Sequence, residues 1–343
     1  MQTVGYVDGV SGGDIIGWAR NLDDPNTLAE IKIVADSRHV FKWKPTHYRP
    51  DVCHNCGEEG IFGFYVPIPF LLNFGSKFSF YTADGHLLSE GHIEIPPESG
   101  FEVGPVSVPE CNIYLHIQKT MGTSIVNLIH HSLEKSRFLS IYPRFGLSIP
   151  QFINLPLLQK RTLGLILGHT SFGIDRYLGN CASYITVVRE PISRVRSNLF
   201  HVLGSIGPKC SISGVEYALD KVVNSGLADE FDNLQVRMIA GLYEGEVSLD
   251  KVKFDDAHLA IHNLENRFKY VGAFENFDET SKNLLRSLGL YEQELPHLNE
   301  VKPDIMQKYQ DVVERIDWDR VRMRHLPEIT LYEYVAQKMN QSQ

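Results

Sequence analysis

Along the first ninety-odd residues, apolar and polar positions alternate in short runs. IKIVAD (31–36), HVFKW (39–43), GFYVPI (63–68) and KFSFYT (77–82) are rich in β-branched and aromatic residues, and Gly, Asp and Asn separate them. No window there keeps a helical period for ten residues, so residues 1–95 predict a small all-β sandwich. The stretch 95–110 holds four prolines and predicts a linker over 96–110. After residue 110 the period changes. Ile113–Ile117 predicts a buried strand, and Ile125, Leu128, Ile129 and Leu133 fall on one helical face behind it. Thr123 or Ser124 is a suitable cap for that helix. LGLILG (163–168) and Tyr184–Val188 predict further buried strands. Pro191 suits the first turn of a helix whose stripe is Ile192, Val195, Leu199 and Val202. Tyr270–Phe274 predicts a strand, followed by a helix with Asp278 as its cap and Gly289 as its stop. Repeated strand–loop–helix units in 111–343 predict an α/β domain on a parallel sheet.

Composition narrows the function. The 343 residues carry 33 Lys/Arg against 42 Asp/Glu, a formal charge of −9. An acidic chain lacks the cationic excess that sequence-blind DNA or RNA binding requires. Residues 1–105 hold 7 Lys/Arg and 14 Asp/Glu, so the later residues are nearly balanced and are the better place for an anion. No apolar run reaches the length of a membrane span, and MQTVGYVDGVSGGD has neither the basic nor the apolar region of a signal peptide. Five cysteines without an export signal predict reduced thiols and a cytoplasmic protein. Cys53 and Cys56 have no second ligand pair at zinc-finger spacing and read as structural thiols.

Two loops carry candidate chemistry. HIQKTMGTS (116–124) joins a strand end to a helix N-terminus, whose free N–H groups and dipole suit an anion. Lys119 adds a charge, and Thr120, Thr123 and Ser124 add hydroxyls around Gly122. The Walker A pattern is absent, which disfavours an ATPase or a nucleotide kinase. Taken alone, the loop is equally a capped helix with a solvated lysine. In VVREPISRVRS (187–197), Arg189 stands at a strand's carboxyl end, where open α/β sheets bind ligands, and Ser197 follows two helical turns later. Arg196 reads as a solvent residue.

Together these loops resemble a known family. HIQKTMGTS is similar to the 5′-phosphosulfate loop of Golgi-type carbohydrate sulfotransferases, H-x-x-K-T-G-G-T-S/T, and REPISRVRS (189–197) to their 3′-phosphate loop, R-x-P-x-x-R-x-x-S. ILGHTSF (166–172) resembles the segment of the heparan sulfate 2-O-sulfotransferases that carries their catalytic histidine. NLQVRMIAG (233–241) is similar to a helix near the active site of the 6-O enzymes, and VGAFENFDETSKNLLRSLGL (271–290) to a segment common in the family. The resemblance covers 111–335 and departs at Met121, where the family has glycine.

It implies a sulfotransferase fold with a P-loop-like sheet, 3′-phosphoadenosine 5′-phosphosulfate (PAPS) as donor, and a carbohydrate hydroxyl as acceptor. Lys119, Thr120, Gly122, Thr123 and Ser124 would hold the 5′-phosphosulfate, and Arg189 and Ser197 the 3′-phosphate. Lys119 and His169 would be catalytic, His169 as the base. No metal is expected, since a sulfuryl group carries less charge than a phosphoryl group. His116 reads as a strand-end side chain. Asn233, Gln235 and Arg237 read as lining an acceptor cleft or as helix surface, and Asn299 and Lys302 as approaching the nucleotide. GYVDGV (5–10), IIGWARN (15–21), HYRPDV (47–52) and GIFGFYV (60–66) resemble a β-rich module of bacterial glycan-modifying enzymes, in which Trp18, Tyr48 and Phe64 read first as core. The alternative function is an inactive glycan-binding or scaffold protein on the same fold.

Overall fold

The structure is a computed structural model, and it describes residues 2–24, 26–96, 99–101, 110–142, 146–179, 182–206, 223, 228–242, 251–290 and 303–341. Asn299, Lys302, Cys181, Cys210 and most of the expected linker lie outside these residues.

The N-terminal elements are β1 (Thr3–Ser11), β2 (Asp14–Asn21), β3 (Ile31–Ala35), β4 (His39–Trp43), β5 (His47–Tyr48), helix α1 (Pro50–Cys56), β6 (Ile61–Pro67), the single turn α2 (Ile68–Leu71), β7 (Lys77–Thr82) and β8 (Leu87–Glu94). The strands form one eight-stranded sheet in the order β4-β3-β7-β8-β1-β2-β6-β5. Two separate layers were the expectation. Instead β1 and β8 pair in parallel, Tyr6 against Ser89, and this join makes one curled sheet of the two halves. Alternation decides which face goes inside. Ile31, Ile33 and Ala35 are buried while Lys32 and Val34 are not, and β7 buries Phe78, Phe80 and Thr82 in the same way. Phe64 and Phe80 stack at 5.9 Å in the core, as expected of Phe64. Trp18 and Tyr48 are half-buried beside Val52, Cys53 and Phe62. The Cys53 thiol donates to the Gly60 carbonyl at 3.5 Å, and the Cys56 thiol points at backbone carbonyls at 3.7 Å.

The second set comprises β9 (Cys111–Leu115), α3 (Gly122–Ser132), β10 (Phe138–Ile141), α4 (Ile149–Ile153), α5 (Leu157–Arg161), β11 (Leu165–Gly168), β12 (Ala182–Val188), α6 (Pro191–Ile206), α7 (Leu234–Ala240), α8 (Phe254–Arg267), β13 (Phe268–Ala273), α9 (Phe277–Ser287), α10 (Pro303–Glu314), α11 (Trp318–Arg324) and α12 (Leu326–Gln341). The five strands form a parallel sheet flanked by helices, in the order β10-β11-β9-β12-β13. All four residues of β10 and of β11 are buried, as a sheet covered on both faces requires. β9 is central, and the chain runs from it to one side and then, at β12, to the other. Open α/β sheets commonly bind ligands outside the carboxyl ends of the strands at such a reversal.

Two capping expectations change. α9 takes Asn276 as its N-cap, so Asp278 lies within its first turn, where a carboxylate suits the helix dipole. α3 begins at Gly122, so Thr123 and Ser124 are inside it. Among the described residues, no helix is long and apolar enough to cross a membrane.

By packing, the chain divides into two compact units. One comprises Met1–Ile113, Ser132–Gly168 and Asp175–Ala182, and the other Tyr114–His131, His169–Ile174 and Ser183–Gln343. Within the first, the Gln159 side chain serves the backbone of Lys44. It accepts from the Lys44 N–H at 2.9 Å and donates to the Lys44 carbonyl at 2.8 Å. His47 packs edge-on against Phe138, with ring centroids 5.7 Å apart. Gln159→Leu leaves one buried donor and one acceptor of Lys44 without those partners. Urea denaturation is expected to show a loss of about 2–4 kcal/mol, and a loss below 0.5 kcal/mol would remove this account.

Candidate functional site

The loop after β9 is wound tightly. Lys119 (φ +70) and Met121 (φ +62) both adopt the left-handed conformation, which costs a non-glycine residue about 1–2 kcal/mol. Met121 sits where the resembling family has glycine, the residue such a conformation favours. Its side chain is buried, at 8% exposure, and burying a methionine contributes about 1.5–3 kcal/mol, enough to offset the strain. The Thr120 hydroxyl donates to the Ile117 carbonyl at 2.7 Å, so its proton holds the turn together. Thr123 is exposed and Ser124 is buried. Gly122 is required by its neighbour, because a Cβ there would lie 1.6 Å from Nε2 of His116. The imidazole therefore rests on the first residue of α3, a place that a strand-end reading of His116 did not anticipate.

At the end of β12, the Arg189 guanidinium crosses to that loop. Its Nη1 donates to the Lys119 carbonyl at 3.1 Å, and its plane lies over the Phe274 ring at 4.3 Å. Its Nε is buried with no hydrogen-bond partner among the described residues. The next residue, Glu190, caps α6, accepting from the N–H groups of Ile192 (3.1 Å) and Ser193 (2.6 Å). The α6 N-terminus is thus satisfied by its own chain, and Arg189 is left as the cationic group there. Ser197 is half-buried two turns further on, and His201 follows one turn later on the same face. Arg194 points inward instead, fully buried against Glu328 at 3.3 Å. Arg196 is exposed, as expected, and lies over the Trp318 ring at 4.6 Å.

His169 follows β11. Gly168, at φ +153, sets the chain's exit there. The His169 ring is 4.8 Å from that of His116. Three neighbouring strands, β11, β9 and β12, are thus followed by His169, by the Lys119 loop and by Arg189.

The electrostatics are those of cationic groups gathered where water is scarce. Burial pushes Lys119 below the ordinary lysine range, and the charge of Arg189 adds to the shift. Burial lowers Arg189 as well, against the opposing pull of Glu275. Burial pushes His169 down to about 4. His116 is driven well below its usual value by burial, then by His169 and Lys119. His201, exposed on α6, is lowered as well, by partial burial of its ring and by the charge of Lys119. Both central imidazoles are therefore neutral at pH 7, and a negative charge placed beside these groups would oppose the lowering that burial causes.

Asn233, Gln235 and Arg237 belong to the interior rather than to the surface, each about 1% exposed. Asn233 donates to the Arg324 carbonyl at 3.1 Å, and Arg237 pairs with Asp232 at 2.5 Å. Gln235 holds the backbone of Arg189. A cavity of about 360 Å³ is bordered by Asn233, Lys253, Phe254 and Met323, and its lining includes neither Lys119 nor Arg189 nor His169. His116, His201 and Gln235 are the site residues that sequence patterns did not single out for a role at the anion site. The glycine-compatible contact of Gly122 with His116 leaves no trace in spacing. No family model and no curated protein matches the chain.

Two outcomes are expected. Gly122→Ala drives a methyl group into His116 and should destabilise the fold by about 1–3 kcal/mol in urea titrations. His116, His169 and His325 all have depressed pKa values when folded. Below the unfolded value near 6.5, the unfolded chain binds more protons than the folded one, so stability falls with falling pH. Urea midpoints should drop steadily from about pH 6.5 toward pH 4. A flat profile across that window would mean the imidazoles are hydrated.

Proposed function

We propose that the chain transfers a sulfuryl group from PAPS to a hydroxyl of a carbohydrate acceptor. The observation that carries the reading is the hydrogen bond from Arg189 to the Lys119 carbonyl, with the Arg189 Nε unpaired among the described residues, at strand ends that also carry the neighbouring rings of His116 and His169. The two loops that resemble phosphosulfate and 3′-phosphate loops are thereby joined by a direct hydrogen bond. In the overall reaction an oxygen–sulfur bond forms to the acceptor, the bond from sulfur to the phosphate oxygen breaks, and 3′-phosphoadenosine 5′-phosphate (PAP) leaves.

Each side chain has a defined part. Lys119 and the α3 N-terminus hold the 5′ end of the nucleotide, and Lys119 stabilises the charge that grows on the leaving phosphate oxygen. Gly122 lets the chain pass beneath His116, and Ser124 lies buried in the first turn of α3. Thr123, the exposed hydroxyl of the loop, is available to the ligand, whereas Thr120 supports the turn. Arg189 and Ser197 hold the 3′-phosphate. His169, neutral at pH 7, accepts the acceptor's proton at a ring nitrogen.

The rival reading, a glycan-binding or scaffold protein without catalysis, is separated by thermal shift with PAP. PAP at 100 times its dissociation constant should stabilise the fold by about 2.7 kcal/mol. No shift at millimolar PAP would leave the rival standing. Arg189→Ala should weaken PAP binding about 10- to 150-fold by calorimetry, with little effect on adenosine 5′-phosphate. His169→Ala should lower turnover about 10²–10⁴-fold with PAP affinity nearly unchanged, whereas Lys119→Ala should lower both. The acid limb of kcat/KM, which reports the free enzyme, should lie below 6.5 and toward 4. The limb of kcat should lie higher, because bound anions favour the imidazolium. Retained turnover in His169→Ala with an unchanged acid limb would pass the base role to His116.

A further inference from the structure

We propose that Gln235 is a positioning residue that sets Arg189 for a 3′-phosphate, an inference that rests on the nucleotide reading above. Arg189 is the residue at which the chain leaves β12 and turns into α6. Its peptide groups are therefore past the end of the strand ladder that would otherwise satisfy them. The Gln235 side chain takes the place of a neighbouring strand. Its Oε1 accepts from the Arg189 N–H at 2.8 Å, and its Nε2 donates to the Arg189 carbonyl at 2.8 Å. Only a carboxamide offers one acceptor and one donor at the spacing of a peptide unit. The orientation of the amide is dictated, since the Arg189 N–H can only donate and its carbonyl can only accept.

With both backbone groups held, the Cα–Cβ direction of Arg189 is set, and the guanidinium reaches the Lys119 carbonyl and the Phe274 face from there. Gln235 is itself anchored. It is 1% exposed, and its own N–H donates to Oε1 of Glu328 at 3.3 Å, the oxygen that also takes Nε of Arg194. A chain of contacts thus runs from α12 through Gln235 to Arg189, which meets the loop. Gln235 touches no ligand in this account and acts through Arg189 alone.

The test is a double-mutant cycle on the full chain, read by calorimetric affinity for PAP and for adenosine 5′-phosphate, which lacks the 3′-phosphate. Gln235→Leu is expected to lower PAP affinity about tenfold while adenosine 5′-phosphate is little changed. In an Arg189→Ala background the same change should have no further effect, which separates positioning from a general loss of structure. Gln235→Glu keeps the volume and the acceptor but not the donor, and should fall between wild type and Gln235→Leu. It also serves if Gln235→Leu does not fold. Gln159→Leu removes an identical backbone clamp elsewhere and should lower stability without moving the ratio of the two affinities. Wild-type chain that does not bind PAP would overturn the nucleotide reading, and this inference with it. If wild type binds PAP and Arg189→Ala loses the preference for it, yet the Gln235 variants keep it or the losses add, the positioning role is overturned and the nucleotide reading stands.

Discussion

Arg189 is hydrogen-bonded to the backbone of Lys119 at a half-buried corner, where the arginine's charge adds to the lowering of the lysine's pKa. Such like charges separate unless the surrounding chain prevents it. Much of the local structure does so. The Arg189 guanidinium is tied to the backbone carbonyl of Lys119, so it is the loop, rather than the ammonium, that receives its hydrogen bond. The loop stays in place at the cost of two left-handed non-glycine residues, offset by the burial of Met121 and by the bond from Thr120 to Ile117. Phe274 covers the other face of the guanidinium, which favours a cation and keeps water away. Burial lowers the pKa values of Lys119, Arg189, His116 and His169 across the cluster.

The backbone around the cations is held by side chains that imitate peptides. Gln235 does this for Arg189 and Gln159 for Lys44, each with one bond given and one received. Both partners lie at or just beyond strand ends, where ladder hydrogen bonds run out and buried peptide groups would otherwise be costly. Glu190 supplies a third solution at the same corner by capping α6 with both carboxylate oxygens. The helix dipole there is answered internally.

Behind this corner lies a core with an ionic part. Arg194 pairs with Glu328, and Arg237 with Asp232, all four essentially without exposure. Buried pairs of this kind add little net stability, but removing one partner costs about 3–5 kcal/mol. Their effect here is to specify how α6, α7 and α12 meet, and the position of Gln235 follows from that. His325 donates to the Val321 carbonyl at 2.8 Å, and burial lowers its pKa, so it joins the network as a neutral ring.

Alternation was enough to identify the β-rich first ninety-five residues, and short, mostly apolar runs were enough to identify four strands of the parallel sheet, because burial on one face or two leaves a periodic trace. The short turn containing Gly122 and the strand-end placement of Lys119, His169 and Arg189 were legible for the same local reason, whereas the left-handed conformations of Lys119 and Met121 were not. What depends on distant partners was not. The parallel join of β1 to β8 rests on a pairing far apart in the chain, so a curled sheet and a two-layer sandwich share one pattern. Arg194 and Arg196 look alike on paper, yet one is buried against Glu328 and the other lies over Trp318 in solvent, because only the fold brings those partners near. In the sequence His116 read as a strand-end side chain, and Gln235 as lining an acceptor cleft or as helix surface. Tertiary contacts made one the neighbour of Gly122 and the other the clamp on Arg189, since a side chain's role as a hydrogen-bond partner is decided by what faces it and not by what adjoins it in the chain.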